Sequence, residues 1–344
     1  MNWTRRAVLG AASAAGAAIA LPRIAFATEG DVEEIDLWPG TPPGPGGGHG
    51  PEHFGMTKSG QGAISGVTRP RIRVYRPAKP NGTAMLVMGG GGYFRIELAN
   101  ESSPTCRWLQ TLGTTAFELI YRMPADGWPR EAPFADAQRA MRLIRARAGD
   151  FEFDAEKLGV IGFSAGGHLA GMTAVMPDAP RYAPIDAIDQ HSARPAAAGL
   201  IYPVLTLEAP YDTTRSVREL LGTNRTQEQA AEWSVQTHVS GRTPPVFTAQ
   251  AADDPIAPIA NSLLMFDALQ KAGVKHEMHI FQEGGHGWGL GDPGSLVSAW
   301  PRLFASWART HDLMPLGFGG SAAPAPSPAD DRNDDDSGKK PDDN

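Results

Sequence analysis

Ser164 lies at the centre of Gly162-Phe163-Ser164-Ala165-Gly166, which follows an apolar run at 157–161 and leads into a helix-forming stretch at 168–174. A strand, a tight turn and a helix in that order make a nucleophile elbow, which presents a hydroxyl at the top of a sheet. A serine at the tip of such a turn is driven toward strained backbone angles. Glycines two residues to either side let neighbouring backbone pass without a Cβ in the way. The same five residues also occur as an ordinary glycine-rich turn, so the pattern needs a base, an acid and an oxyanion hole elsewhere in the chain.

A serine so placed draws its acid, and then its base, from loops after later strands. Seven histidines follow Ser164. His168 is on the elbow helix and is expected to pack or hydrogen-bond beneath the site. His276 and His279 fall inside a strand-like run, and His311 ends the last helical stretch. His286 is different: Glu283-Gly284-Gly285-His286-Gly287-Trp288-Gly289 follows the last strand-like run, and a glycine loop there can swing an imidazole over the sheet. The preceding strand ends near Gln250 and leads into Ala251-Ala252-Asp253-Asp254-Pro255-Ile256-Ala257-Pro258. Asp254, immediately before the Pro-x-x-Pro turn, is the expected acid, with Asp253 as a supporting or turn-forming group. An oxyanion needs backbone N–H donors free to point at it. Gly89-Gly90-Gly91-Gly92-Tyr93 follows the first buried run, and Gly91 and Gly92, with the Ala165 N–H, are the expected donors. These glycines lack a following Lys-Ser/Thr and a Gly-x-Gly-x-x-Gly spacing, so they do not read as a nucleotide loop.

The elements that must position these residues show in the hydrophobic pattern. Short apolar runs at 84–88, 115–120, 158–161, 198–202, 245–249 and 276–281 alternate with helical stretches. Runs buried on both faces and separated by helices predict an α/β fold: a mostly parallel central sheet with helices on both faces. Helical periodicity is clearest at 134–147, where Ala137, Ala140, Met141 and Ile144 share a stripe, and at 260–271 and 295–309. Asp136 and Asp154 are read as first-turn or capping residues. Residues 32–38 alternate as a short edge strand, and 72–77 as another. Between them, 39–51 is too rich in glycine and proline to be an element interior. His49 and His53 sit four apart in this region without a helix to bring them together as a metal pair. The irregular segments 176–195 and 206–240, the second with a short helix near 217–221, are expected to shape a binding cleft.

A formal charge of −7, with basic residues interspersed, offers no basic face for nucleic acid. A single cysteine, Cys106, excludes an intramolecular disulfide framework and reads as a small buried apolar residue. Arg5-Arg6 precedes an alanine-rich apolar stretch ending at Leu21, and Ala25-Phe26-Ala27 supplies a small-x-small cleavage pattern. Residues 1–27 are therefore read as a twin-arginine signal peptide. The expected partner is the twin-arginine export machinery of a bacterium, and the expected location is periplasmic or secreted. Loss of Arg5, Arg6 and Arg23 would take the charge from −7 to −10. A single large α/β domain is expected over 28–315. The remainder, 316–344, is rich in Gly, Ala, Pro, Ser and then Asp, and is expected to be a disordered acidic tail.

With these residues placed, the chain resembles the α/β-hydrolase superfamily, and within it the bacterial acetyl-xylan-esterase-like and feruloyl-esterase-like branch. The resemblance runs from about residue 32 to 310. It is carried by Asp36-Leu37-Trp38-Pro39-Gly40, the glycine loop at 89–93, Tyr121-Arg122-Met123-Pro124, the elbow with its flanks to Ala170, the segment 253–258, and Gly284-Gly285-His286-Gly287. Related esterases often carry His or Pro where this chain has Gly89. The resemblance implies acyl transfer by Ser164, His286 and Asp254, with no metal or organic cofactor. Together with export, it implies short acyl esters on plant polysaccharide such as xylan. Tyr93, Trp128 and Trp288 are candidate walls for a sugar ring, and each reads equally well as core. An exported serine peptidase of the prolyl-oligopeptidase type and a non-catalytic hydrolase-fold binding protein are the alternatives. The oligomeric state is left open by the sequence.

Overall fold

The computed structural model describes residues 32–48, 50–56 and 62–314. The twin-arginine segment, His49 and the acidic tail lie outside the described residues.

Five apolar runs form the inner strands of one sheet: β5 (Gly82–Met88), β7 (Thr115–Ile120), β8 (Phe153–Phe163), β9 (Ala198–Ile201) and β10 (Val246–Ala251). Along β5, Leu86 and Met88 turn to one face and Met85 and Val87 to the other, and all are buried. Such a strand is stable only between two helical layers. β1 (Glu33–Asp36), β4 (Arg71–Tyr75) and β11 (His276–Phe281) complete an eight-stranded sheet in the order β1-β4-β7-β5-β8-β9-β10-β11. β1 with β4 and β4 with β7 are antiparallel, and the remaining pairs are parallel. A second, three-stranded antiparallel sheet joins β2 (His53–Met56), β3 (Gly62–Ser65) and β6 (Ile96–Glu97), in the order β2-β3-β6.

On one face lie α2 (Ala132–Ala146), α3 (Ser164–Val175) and α6 (Ala260–Lys271), whose buried residues join one apolar cluster with the sheet. The α2 stripe Ala137, Ala140, Met141 and Ile144 is fully buried, and Pro133 fits the first turn, where a missing N–H leaves no bond unmade. On the other face α1 (Ser103–Thr111) meets α7 (Trp300–Arg309) through Trp108 against Trp300 and Phe304, with Phe163 of β8 behind Trp300. Cys106 is buried in α1, and burial pushes its thiol pKa well up.

Five expectations change. The run at 276–281 is the sheet's edge and is only partly buried, consistent with His276, Glu277 and His279 in its sequence. Residues 295–309 are not one helix: a 3-10 turn, Leu296–Ala299, precedes α7. Asp136 caps nothing. It is fully buried and holds the Arg122 guanidinium in two-pronged contact, while also accepting from Arg122 N and from Trp38 Nε1. Arg122 Nη1 in turn donates to Pro43 O, which fastens the glycine- and proline-rich segment to the end of β7. Asp154 lies in β8 and accepts from Glu156 N, with no helix to cap. The segment 176–195 packs on α2, held by Arg139 to Asp186 and Asp189 and by Gln138 to Pro177 O, and does not reach the cleft described below. The segment 206–240 does reach it, through α4 (Arg215–Leu221).

Candidate active site

Ser164 is the first residue of α3, directly off the end of β8, and its φ is +51°. That left-handed angle on a non-glycine residue is strain of the kind an elbow stores. The flanking glycines are required by contact. A Cβ on Gly162 would lie 2.1 Å from Gly166 O, and one on Gly166 would lie 2.2 Å from Met88 O and 2.5 Å from Gly89 O. The elbow thus packs backbone to backbone against the end of β5, where the glycine loop begins.

His286 Nε2 is 2.8 Å from Ser164 Oγ, and His286 Nδ1 is 2.7 Å from Asp254 Oδ2. Asp254 is nearly buried. Its Oδ1 accepts from Ile256 N (2.8 Å) and Ala257 N (2.9 Å), and its Oδ2 also accepts from Gln250 Nε2 (3.0 Å). Four polar contacts on one carboxylate fix its orientation. Asp253 is exposed and does other work: its Oδ1 accepts from Gly285 N (2.8 Å), which ties the acid loop to the histidine loop. The structure therefore brings together the three residues the sequence singled out and separates the roles of the two aspartates.

Gly91 and Gly92 line the same cleft as Ser164 and have φ of +113° and +64°. No hydrogen bond within the described residues takes up either N–H. Ala165 lies in the first turn of α3, where N–H groups have no helical carbonyl four residues before them and the helix dipole is positive. Gly90 differs from its neighbours: its N–H is held by Glu101 Oε2 at 2.5 Å, and a Cβ there would lie 2.8 Å from Ser164 Cβ. Gly89 O accepts from Tyr121 OH (2.8 Å).

His168 is fully buried beneath the elbow. Its Nε2 donates to Trp233 O (2.6 Å), so its Nδ1 accepts from Tyr93 OH (2.8 Å), and burial lowers its pKa to about 4. A carbonyl can only accept, which settles the tautomer.

The candidate sugar walls are not where the sequence suggested. Tyr93 is fully buried, with φ +62°, and its hydroxyl serves His168. Trp128 is buried under the Arg122 guanidinium and donates to Val67 O. Trp288 packs edge-on against Tyr202 and Phe281, away from the cleft. Phe94, one residue past the left-handed Tyr93, is the aromatic that lines the cleft. The cleft holds about 560 Å³. It is lined by Ser164 and His286 together with Phe94, Arg95, Thr214, Arg215 and Ile256. Arg95 and Arg215 both lie over the Phe94 ring, at 4.6 and 4.5 Å from its centroid. Among the described residues, no group of three or more His, Cys, Asp or Glu is placed to hold a metal ion.

A mostly parallel sheet with a serine elbow, an acid after β10 and a histidine after β11 defines an α/β-hydrolase. The BD-FAE family model matches residues 72–269, more than half of the chain, and the protein belongs to that family. A solved acetyl ester-xyloside bifunctional hydrolase from Caldicellulosiruptor lactoaceticus is similar to it, with a TM-score of 0.70 and 33% identity over 82% of this chain and 97% of that one. The endo-1,4-beta-xylanase B of Butyrivibrio fibrisolvens is 34% identical over 231 residues, 65% of this chain and 34% of the xylanase. The acetylxylan esterase of Xylanibacter ruminicola is 26% identical over 261 residues, 75% of this chain and 48% of the esterase. The chain thus spans between a third and a half of the length of these curated relatives.

Proposed function

We propose that the protein is a serine esterase, and that it removes short acyl groups, acetyl foremost, from a polysaccharide such as xylan. The observation that carries this reading is the unbroken hydrogen-bond line from Ser164 Oγ through His286 to Asp254, with Ser164 and His286 lining an open cleft. Ser164 Oγ attacks the ester carbonyl as His286 Nε2 takes its proton. Asp254 holds the imidazole by Nδ1–H and stabilises the imidazolium. Negative charge developing on the carbonyl oxygen falls between the N–H of Ala165 and those of Gly91 and Gly92. Such donors lower the barrier by about 3 kcal/mol each where one has been removed in other enzymes. His286 then gives its proton to the departing sugar oxygen, which leaves as the free hydroxyl. Water, deprotonated by the same nitrogen, releases the acid from the serine. The acetyl and xylan parts of the reading are supported by the esterase and xylanase relatives and by an open cleft with polar and aromatic walls.

The test compares acetate release from acetylated xylan with hydrolysis of p-nitrophenyl acetate and of an aminoacyl-naphthylamide. The expected result is turnover of both esters and not of the amide, with Ser164→Ala reducing kcat by about 10⁴-fold or more. Activity that survives the substitution, or cleavage of the amide alone, would overturn the proposal.

A further inference from the structure

Glu101 is a buried carboxyl beside the nucleophile for which the acyl-transfer scheme has no use. It lies in the single π-turn Leu98–Ser102 that leads into α1, a rare wide turn that recurs at functional sites. It is 2% exposed, and no ion pair to it is found among the described residues. An unpaired acidic side chain at that depth is costly and needs a reason.

Its two oxygens are each engaged, and by different parts of the site. Oε2 accepts from Gly90 N in the glycine loop, while Oε1 accepts from Tyr202 OH (3.0 Å) at the end of β9. The same Tyr202 oxygen accepts from Gly289 N (3.0 Å), three residues beyond His286, and the Tyr202 ring stands edge-on to the imidazole with centroids 5.0 Å apart. The neighbouring Asn100 reinforces the link, since its Nδ2 donates to Gly287 O (2.7 Å). The close fit is visible in Gly289, where a Cβ would lie 2.1 Å from Asn100 O. One turn of backbone therefore grips the oxyanion loop on one side and the histidine loop on the other.

We propose that Glu101 is a positioning residue: by holding Gly90 N–H and, through Tyr202, Gly289 N–H, it sets the oxyanion donors at Gly91 and Gly92 in register with His286 and Ser164. The inference rests on the esterase reading for its assay. A Cβ at Gly90 would lie 3.0 Å from Glu101 Oε2 and 2.8 Å from Ser164 Cβ, so the carboxyl is one backbone unit from the nucleophile. Release of Gly90 lets the two following glycines, both in left-handed conformations, rotate away from the position of the developing oxyanion. An oxyanion contact grows in the transition state and is weak to the bound ester, so the loss appears in kcat and not in KM.

The test uses the full-length protein and three variants, Glu101→Gln, Glu101→Ala and Tyr202→Phe. It measures kcat and KM on p-nitrophenyl acetate and the rate at which diethyl p-nitrophenyl phosphate labels Ser164. Both are referred to folded protein by circular dichroism. Glu101→Gln keeps an oxygen for Gly90 N–H and is expected to keep kcat within about tenfold, whereas Glu101→Ala loses about 10²-fold in kcat and in labelling rate with KM within about threefold. Tyr202→Phe, which frees Gly289 N–H and removes the donor to Glu101 Oε1 but leaves Oε2 on Gly90 N–H, falls between them. The proposal is overturned if folded Glu101→Ala keeps both rates within about threefold. It is also overturned if Glu101→Ala does not fold while Glu101→Gln and Tyr202→Phe are indistinguishable from the parent. A parent protein that neither turns over the ester nor is labelled contradicts the esterase reading itself, a different outcome from an active parent with an equally active Glu101→Ala.

Discussion

Asp254→Asn should inactivate the protein while leaving its fold in place, and the hydrogen bonds around this side chain show why. The carboxylate's Oδ1 accepts from two backbone N–H groups, Ile256 and Ala257, which can face only an oxygen. In the variant the amide oxygen must stay there, because turning the NH2 toward those two donors would leave both unsatisfied. The amide nitrogen is therefore forced into the place of Oδ2, facing Gln250 Nε2 and His286 Nδ1. Gln250 cannot turn to accept from it: its Nε2 also donates to Ala257 O and its Oε1 accepts from Ser262. Donor faces donor there, at a cost of about 1–3 kcal/mol in stability. Facing an NH2, His286 Nδ1 must accept, so the ring proton moves to Nε2 and points at Ser164 Oγ. An imidazole in that tautomer cannot take the serine proton. Loss of the corresponding carboxylate charge and tautomer costs about 10⁴-fold in kcat in serine hydrolases, or about 5 kcal/mol of barrier. Steady-state hydrolysis of p-nitrophenyl acetate measures it, with urea denaturation as the control for folding. Asp253→Ala is the matched comparison, since it removes only the acceptor for Gly285 N and should cost about tenfold or less. A kcat for Asp254→Asn within about tenfold of the parent would refute the tautomer argument.

Two further outcomes follow from the packing. Gly166→Ala should destabilise the protein by more than about 3 kcal/mol in urea denaturation, because the new methyl meets two backbone carbonyls that cannot move independently of β5. Gly285→Ala, where φ is +59° but no atom lies within 4 Å of the new Cβ, should cost only about 1 kcal/mol, and equal losses at the two sites would contradict the backbone-contact explanation. The second outcome concerns pH. Burial, partly offset by the Gly90 N–H and the Tyr202 hydroxyl, raises the Glu101 pKa from 4.5 to about 8. Between those values the folded protein holds a proton that the unfolded chain has released, so this group's contribution to stability falls as pH rises through the window. Relative to Glu101→Gln, the parent should lose about 2 kcal/mol of unfolding free energy from pH 5.5 to 7.5. Parallel pH dependences of the two proteins would show that Glu101 ionises normally.

What the sequence revealed of this site, and what it concealed, divides along a physical line. The elbow was legible because its requirement is local: Gly162 and Gly166 are imposed by contacts within one turn and its neighbouring strand. His286 and Asp254 were legible because each lies on a loop directly after a strand whose apolar run can be read, and the parallel sheet sets those loops side by side. The choice between Asp253 and Asp254 followed from the Pro-x-x-Pro turn, whose two N–H groups the structure shows bound to Asp254. The aromatic wall of the cleft was not legible, although the segment 206–240 was rightly expected to help shape it. Tyr93 and Phe94 are adjacent aromatics alike in sequence, yet in the fold Tyr93 is buried on His168 and Phe94 lines the cleft. Asp136 misled for a related reason, since a first-turn acid and the partner of a buried arginine fourteen residues away look alike in a string of letters.

Glu101 marks the limit of that kind of reading. Nothing in Leu98-Ala99-Asn100-Glu101-Ser102 forms a motif, and a charged residue before a helix is ordinarily read as a solvated first-turn acid. Its significance comes from three segments that are far apart in the chain: the glycine loop eleven residues before it, Tyr202 about a hundred residues after it, and Gly289 beyond that. The serine, histidine and aspartate each need one loop in one place. The oxyanion donors need two loops at a fixed separation, and local glycine chemistry supplies freedom of conformation without choosing a position. A glycine run as permissive as residues 89–92 can hold N–H groups on a developing charge only if something rigid grips it. The buried carboxyl on the π-turn is the group in this fold with one hand on that run and the other on the loop of the base.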